Sequence, residues 1–152
     1  MKLKKVAYGE SELSKSAIIF RKSLGNAKRH NGNIAIVEYI DDVGKSVRKE
    51  FTTLTEPEWK ALGYDDKPHA ERIMADWILD NNIPKEKVTK IYSELEPCNF
   101  EDHKCKKLLE TLFPNAEKEF SYDYPGILGD NLKSVRDASI KERANDMNKL
   151  VK

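Results

Sequence analysis

Pro68-His69-Ala70-Glu71-Arg72-Ile73-Met74-Ala75-Asp76-Trp77-Ile78 sets Ala70, Ile73, Met74, Trp77 and Ile78 on one side of an α-helix. Pro68 stands just before the first turn, and Asn81-Asn82-Ile83-Pro84 closes the last, so the spacing predicts a helix over 69–81. Downstream, Val88 to Ser93 reads as a short strand. His103 to Leu112 reads as a second helix with Asp102 as its N-cap, and Ala116 to Tyr122 as another strand. A charged helix follows over about 131–150. This alternation implies a βαβ crossover and parallel strands. Upstream, Leu13, Ala17, Phe20 and Leu24 predict a helix that ends at Gly25-Asn26. Asn33 to Ile40 and Ser46 to Phe51 form a hairpin around the turn Asp41-Asp42-Val43-Gly44. Thr52 to Pro68 reads as a long loop with Trp59 and Leu62 as anchors. The expected fold is α/β, a mixed β-sheet sandwiched between helices, in a single domain over residues 1–152.

Bulk properties narrow the function classes. The 152 residues suffice for one core, and the longest aliphatic stretches, such as Ile34-Ala35-Ile36-Val37, are too short to span a membrane. No apolar signal-peptide core follows Met1-Lys2-Leu3-Lys4-Lys5-Val6, so the expected location is cytoplasmic, or a target cell reached as part of a larger secreted protein. A net charge of +1 does not announce a nucleic-acid binder. Positive charge is clustered at Lys2/Lys4/Lys5, Lys28/Arg29 and Lys104/Lys106/Lys107, each of which taken singly reads as a solvated face. Cys98 and Cys105 are the only cysteines, too few for a disulfide framework, which turns attention to metal or redox chemistry.

The chemistry-bearing constellation is Pro68-His69-Ala70-Glu71, then Leu95-Glu96-Pro97-Cys98, then Cys105. One imidazole and two thiolates suit zinc, and three protein ligands leave a fourth tetrahedral position for water, whose pKa the metal lowers. Two thiolates already balance the charge of Zn²⁺, so Glu71 is left for proton transfer. Residues two apart on a helix point about 200° apart. His69 and Glu71 therefore cannot share a helix flank, but they can converge off its N-terminal end. In a continuous helix Cys98 and Cys105 would be separated by a rise of about 10 Å. The chain must therefore loop between them and deliver Cys105 into the first turn of the next helix. The metal would then sit between two helix N-termini, whose partial positive charge favours thiolate and hydroxide.

His-Ala-Glu with a downstream Pro-Cys and a second Cys resembles the signature of the zinc-dependent nucleoside and nucleic-acid deaminases, the cytidine deaminase-like superfamily. Within it the chain looks most like the nucleic-acid deaminase domains of bacterial polymorphic toxins. Gly32-Asn33-Ile34-Ala35, His69-Ala70-Glu71-Arg72 and Tyr92-Ser93-Glu94-Leu95-Glu96-Pro97-Cys98 carry that likeness, together with the element order over roughly 13–122. The resemblance implies His69, Cys98 and Cys105 as Zn²⁺ ligands and Glu71 as proton shuttle. It also implies base contacts from backbone groups near Ala70 and Glu96, with Asn33 as a further substrate contact. It departs in one respect: six residues separate the cysteines where the superfamily usually has two, which admits His103 as a rival ligand.

The expected activity is hydrolytic deamination of cytosine to uracil in nucleic acid, single-stranded DNA ahead of RNA, a hydrolase acting on the C–N bond of a cyclic amidine. The toxin-like resemblance favours a polymer substrate and would bring an immunity protein as a further partner. Leu95-Glu96-Pro97-Cys98 also looks like the corresponding segment of tRNA adenosine deaminases, so adenine is the alternative base, and a free nucleoside or nucleotide suits the near-neutral charge. A structural zinc on His69, Cys98, His103 and Cys105 is the non-catalytic alternative; it leaves Glu71 without a task. Trp77, Met74 and Ile78 read as core, Tyr92 and Tyr122 as packing, His30 as surface, and Thr52 and Thr53 as candidate pocket lining. Lys133, Arg136, Lys141, Arg143 and Lys149 in the final helix are interleaved with acids and leave its role in binding open.

Overall fold

The computed structural model describes residues 3–24, 32–65, 68–96, 105–123 and 130–150; of the side chains at 3, 105, 106, 130–133 and 136 only the backbone course is given. Five strands, β1 (Leu3–Lys5), β2 (Ile34–Ile40), β3 (Ser46–Thr52), β4 (Val88–Leu95) and β5 (Glu117–Tyr122), form one sheet in the order β1-β5-β4-β2-β3. β1 pairs with β5, and β5 with β4, in parallel; β2 pairs antiparallel with both β4 and β3. The helices are α1 (Glu12–Ser23), α2 (Glu56–Ala61), α3 (Ala70–Asp80), α4 (Cys105–Leu112) and α5 (Asp130–Leu150). The expected mixed sheet between helices is what the chain forms.

β2 is hydrophobic on both faces, and its alternation assigns the two layers. Ala35 and Val37 pack with Ala70, Met74, Ala75 and Ile78 of α3 and with Leu109 and Phe113 at α4. Ile34 and Ile36 pack with Leu13 and Ala17 of α1 and with Tyr92. The helical stripes read from the sequence are therefore the buried ones, and Trp77 stacks edge-on against Phe51 at the margin of the first core.

Two elements lie outside the sequence expectation. β1 is three residues long, too short for a periodic signal, and exists through its pairing with β5. α2 interrupts the expected 52–68 loop. Thr55 and Glu58 form a capping box there, Pro57 sits in the first turn, and Glu56 and Lys60 pair across it. Leu62, expected as an anchor, is 63% exposed, because α2 buries no residue and carries it outward. β4 also runs two residues past Ser93, to Leu95, because Leu95 pairs with Tyr122 on β5.

Candidate active site

His69 is the N-cap of α3, with extended backbone angles, and its carbonyl accepts from the N–H groups of Arg72 and Ile73. The His69 side chain makes no capping hydrogen bond. Glu71 lies in the first turn, where a carboxylate complements the helix dipole. It is 3% exposed. The two residues thus occupy the helix end rather than one flank, as their spacing requires.

Glu71 is held from the sheet. Asn33 Nδ2 donates to Glu71 Oε1 at 2.8 Å and to Ser93 Oγ at 2.9 Å. Ser93 Oγ lies 2.7 Å from the same Glu71 oxygen and 2.6 Å from the carbonyl of Leu95. One hydroxyl proton therefore has two acceptors in reach. Asn33 Oδ1 in turn accepts the Leu95 N–H at 3.0 Å. That last bond decides which way the amide faces: an N–H needs an acceptor, so Oδ1 turns to Leu95 and the two Nδ2 hydrogens are left for Glu71 and Ser93.

The position of Asn33 follows from the sheet. Regular β2–β4 pairing begins at Ala35 opposite Ser93, and Asn33 lies just before β2. Its side chain completes the ladder where the backbone no longer does. Its N–H donates to Thr53 Oγ1 at 3.1 Å, and its carbonyl accepts the Thr53 N–H at 3.3 Å. Gly32, with φ +70°, makes the preceding bend; a Cβ there would lie 2.9 Å from Thr53 Cβ. Thr53, a candidate pocket-lining residue by sequence, is thus the anchor of Asn33.

Among the other expected residues, Ala70 is fully buried at the first position of α3. The Glu96 N–H donates to the Tyr122 carbonyl at 2.8 Å, continuing the parallel pairing for one residue beyond β4. Cys105 is the first residue of α4, which packs beside α3, but its side chain is not among those described. Cys98, His103, Lys104, Asp102, Lys28, Arg29 and His30 lie outside the described residues. Tyr122 is buried, donates to Asp146 Oδ2 at 2.6 Å and packs on Tyr8, which makes it a packing residue as expected. Arg143, counted among the cations of the final helix, is buried and not part of a solvated basic face. It falls four residues after buried Ser139 and four before buried Met147, which puts it on the inner stripe of α5.

By sequence Ser93 lies in a strand and in the stretch that carries the family likeness, with no site role of its own. Strand parity was the available signal, since a small polar residue alternates there with Tyr92 and Glu94 between two apolar layers.

The family model described as Xanthomonas-like deaminase matches residues 30–146, which takes in every residue of this network. The chain belongs to that family. The Xanthomonas-like deaminases are a deaminase family within the cytidine deaminase-like superfamily, in line with the mixed sheet and the flanking helices. No curated protein matches the chain.

The residues of this Xanthomonas-like deaminase suit a zinc ion in two respects. An imidazole stands at the start of α3, and a cysteine begins the neighbouring helix. With Cys98 in the connection after β4, the donor set is one nitrogen and two sulfurs.

Proposed function

We propose that this deaminase is zinc-dependent and converts cytosine to uracil in single-stranded nucleic acid, DNA ahead of RNA. The observation that supports the catalytic reading is the buried Glu71 carboxylate, fixed by Asn33 and Ser93 beside His69 at the start of α3. His69, Cys98 and Cys105 would hold the ion, which when bound supplies Lewis-acid activation of a water.

The chain's own residues then manage protons. Asn33 and Ser93 hold the Glu71 carboxylate at Oε1, and Glu71 is the group we assign to proton transfer. Glu71 takes a proton from the attacking water and delivers it to the pyrimidine ring nitrogen; it then carries the proton of the hydroxyl newly added to the ring carbon to the amine, which leaves as ammonia as the carbonyl of uracil forms. The Ser93 hydroxyl can follow this cycle, donating to Glu71 while the carboxylate is charged and to the Leu95 carbonyl when it carries the proton. The backbone near Ala70 and Glu96 is assigned to the edge of the base.

The single-stranded preference follows from cost. A paired base must be flipped out before its amine can reach a buried carboxylate, for a few kcal/mol. A chain of net charge +1 has little phosphate attraction to set against that. Lys107, exposed in the first turn of α4, is the lysine we assign to a passing strand, whereas Arg143 is buried and takes no such role.

The test is to express the protein and sequence cellular DNA and RNA. C-to-T changes in DNA that vanish with Glu71→Ala support the reading. A-to-G changes would assign adenine instead, and conversion of free cytidine with oligonucleotides untouched would remove the polymer. Metal analysis of His69→Ala, Cys98→Ser and Cys105→Ser should show lost zinc. Full zinc in Cys105→Ser with loss in His103→Ala would move the third ligand to His103. On purified oligonucleotides, activity should be higher on single strands than on duplex and should fall as salt rises.

A further inference from the structure

The face of β4 opposite Ser93 carries a second polar cluster that no step above uses. Glu94 is fully buried there. Its Oε2 accepts from Arg21 Nε at 2.7 Å and from the Tyr8 hydroxyl at 2.7 Å. Its Oε1 accepts from Arg21 Nη2 and from the Ile34 N–H, with Arg143 Nη1 3.6 Å away. Both guanidinium groups also reach one backbone oxygen: Gly32 O accepts from Arg21 Nη2 at 2.9 Å and from Arg143 Nη1 at 2.6 Å. Arg21 comes from α1 and Arg143 from α5, so two helices distant in sequence meet at the bend before β2.

Two consecutive peptide groups are thereby gripped by side chains: the Gly32–Asn33 peptide through its carbonyl by two arginines and through its N–H by Thr53, and the Asn33–Ile34 peptide through the Ile34 N–H by Glu94. The Gly32–Asn33 peptide is a rigid plane. Its oxygen is pinned on one side and its N–H on the other, which fixes the direction in which the Asn33 side chain leaves the backbone. We propose that Arg143, acting with Arg21 and Glu94, is a positioning residue of the active site: through the Gly32 carbonyl it aims the Asn33 amide at Glu71. This makes the docked terminal helix part of the catalytic apparatus. The assignment rests on Glu71 being the proton carrier.

Stability alone is a weak reason for such a cluster. Two guanidinium groups and one carboxylate leave excess positive charge in the interior, and buried ion networks replaced by apolar groups are often no less stable. Directional bonds to a carbonyl oxygen are what an apolar replacement could not supply.

The test compares Arg143→Gln, Arg143→Lys and Met147→Ala in the full chain. Met147 is buried on the same helix face and carries no polar group, so it reports loosening of α5 without loss of the guanidinium. The first measurement needs no substrate: the Asn33 side-chain NH₂ resonances in a ¹H–¹⁵N spectrum. The second is kcat and KM for the oligonucleotide. Arg143→Gln should move the Asn33 signals and lower kcat by about tenfold, with KM changed far less, as expected for misplacement of a catalytic group. Arg143→Lys should recover part of both, and Met147→Ala should lower the melting temperature without either change. Unmoved Asn33 signals in a folded Arg143→Gln protein would overturn the proposal, as would an equal kcat loss in Met147→Ala. If Arg143→Gln does not fold, Arg143→Lys decides by the same signals. If the wild type deaminates nothing, the catalytic reading falls, and the Asn33 signals still decide whether Arg143 orients that amide.

Discussion

Consecutive residues of β4 face two polar environments built on opposite logic. Ser93 turns toward α3, where the described partners of the Glu71 carboxylate are an amide and a hydroxyl. Glu94 turns toward α1 and α5, where its own carboxylate is bound by Arg21 and approached by Arg143. Burial opposes the charge on Arg21, but Glu94 outweighs it and holds that guanidinium above its ordinary range. Burial likewise draws Arg143 down, against the pull of Glu94, and pushes the Tyr8 phenol well up, reinforced by the same carboxylate. A carboxylate locked to a guanidinium cannot take a proton without breaking an ion pair. One held by neutral donors can. The same side-chain type is thus an anchor on one face of a strand and, in the function proposed above, a proton carrier on the other.

The largest effect that would break this contrast is at Glu71. Glu71→Gln keeps a hydrogen-bonding group of similar size but cannot cycle a proton. Deamination should fall by about 10²–10⁴-fold, the usual worth of a positioned acid–base group, while the melting temperature stays close to wild type. An active Glu71→Gln protein would mean that the neutral network serves folding rather than chemistry.

At Glu94→Gln the largest effect should be on stability. It leaves two buried guanidinium groups without their carboxylate, a class of change that costs about 3–5 kcal/mol. Urea unfolding would measure it, as a lower midpoint with an unchanged slope. Unaltered stability would show that the arginines find compensation elsewhere and that the anchor reading is wrong.

Ser93→Ala comes next. The substitution removes the partner of one Asn33 hydrogen and one donor to Glu71, with a stability cost of about 1–2 kcal/mol. Turnover should drop by roughly tenfold, since Asn33 still holds Glu71. A loss as large as that of Glu71→Gln would make the hydroxyl itself an obligatory proton carrier.

The difference between the faces also explains what could be read in advance. The His69–Glu71 pair was legible because a helix start with His-x-Glu is a local pattern. The sheet was legible because β2, β4 and β5 carry periodic apolar residues. Arg21 and Glu94 were not, although Arg21 continues the Leu13–Ala17 stripe at a spacing of four residues. A charge on an inner stripe looks like a helix edge until a buried partner 73 residues away is known. Arg143 was hidden in the same way, among the solvated charges of α5. The resemblance marks Asn33 as a substrate contact, and its hold on Glu71, Ser93 and the Leu95 N–H is a separate matter that only the fold displays. β1 and α2 went unread because one depends on a partner strand and the other on a capping box with no apolar face.

Thr53 offers the smallest and most discriminating effect, because it belongs to neither carboxylate yet touches the backbone that joins their networks. Its Oγ1 accepts the Asn33 N–H, while the opposite end of the same peptide plane is held by the arginines. Thr53→Val keeps the shape and removes only the acceptor, so stability should fall by about 1 kcal/mol, the net worth of one hydrogen bond. Thr53→Ser keeps the oxygen, and its stability should stay within about 0.5 kcal/mol of wild type. If the two networks are mechanically joined through this peptide, Thr53→Val and Arg143→Gln will be non-additive in a double-mutant cycle, since both act on one rigid group. Additive costs would mean that the two faces of β4 are held independently, and that the Gly32–Asn33 peptide does not transmit the position of α5 to Glu71.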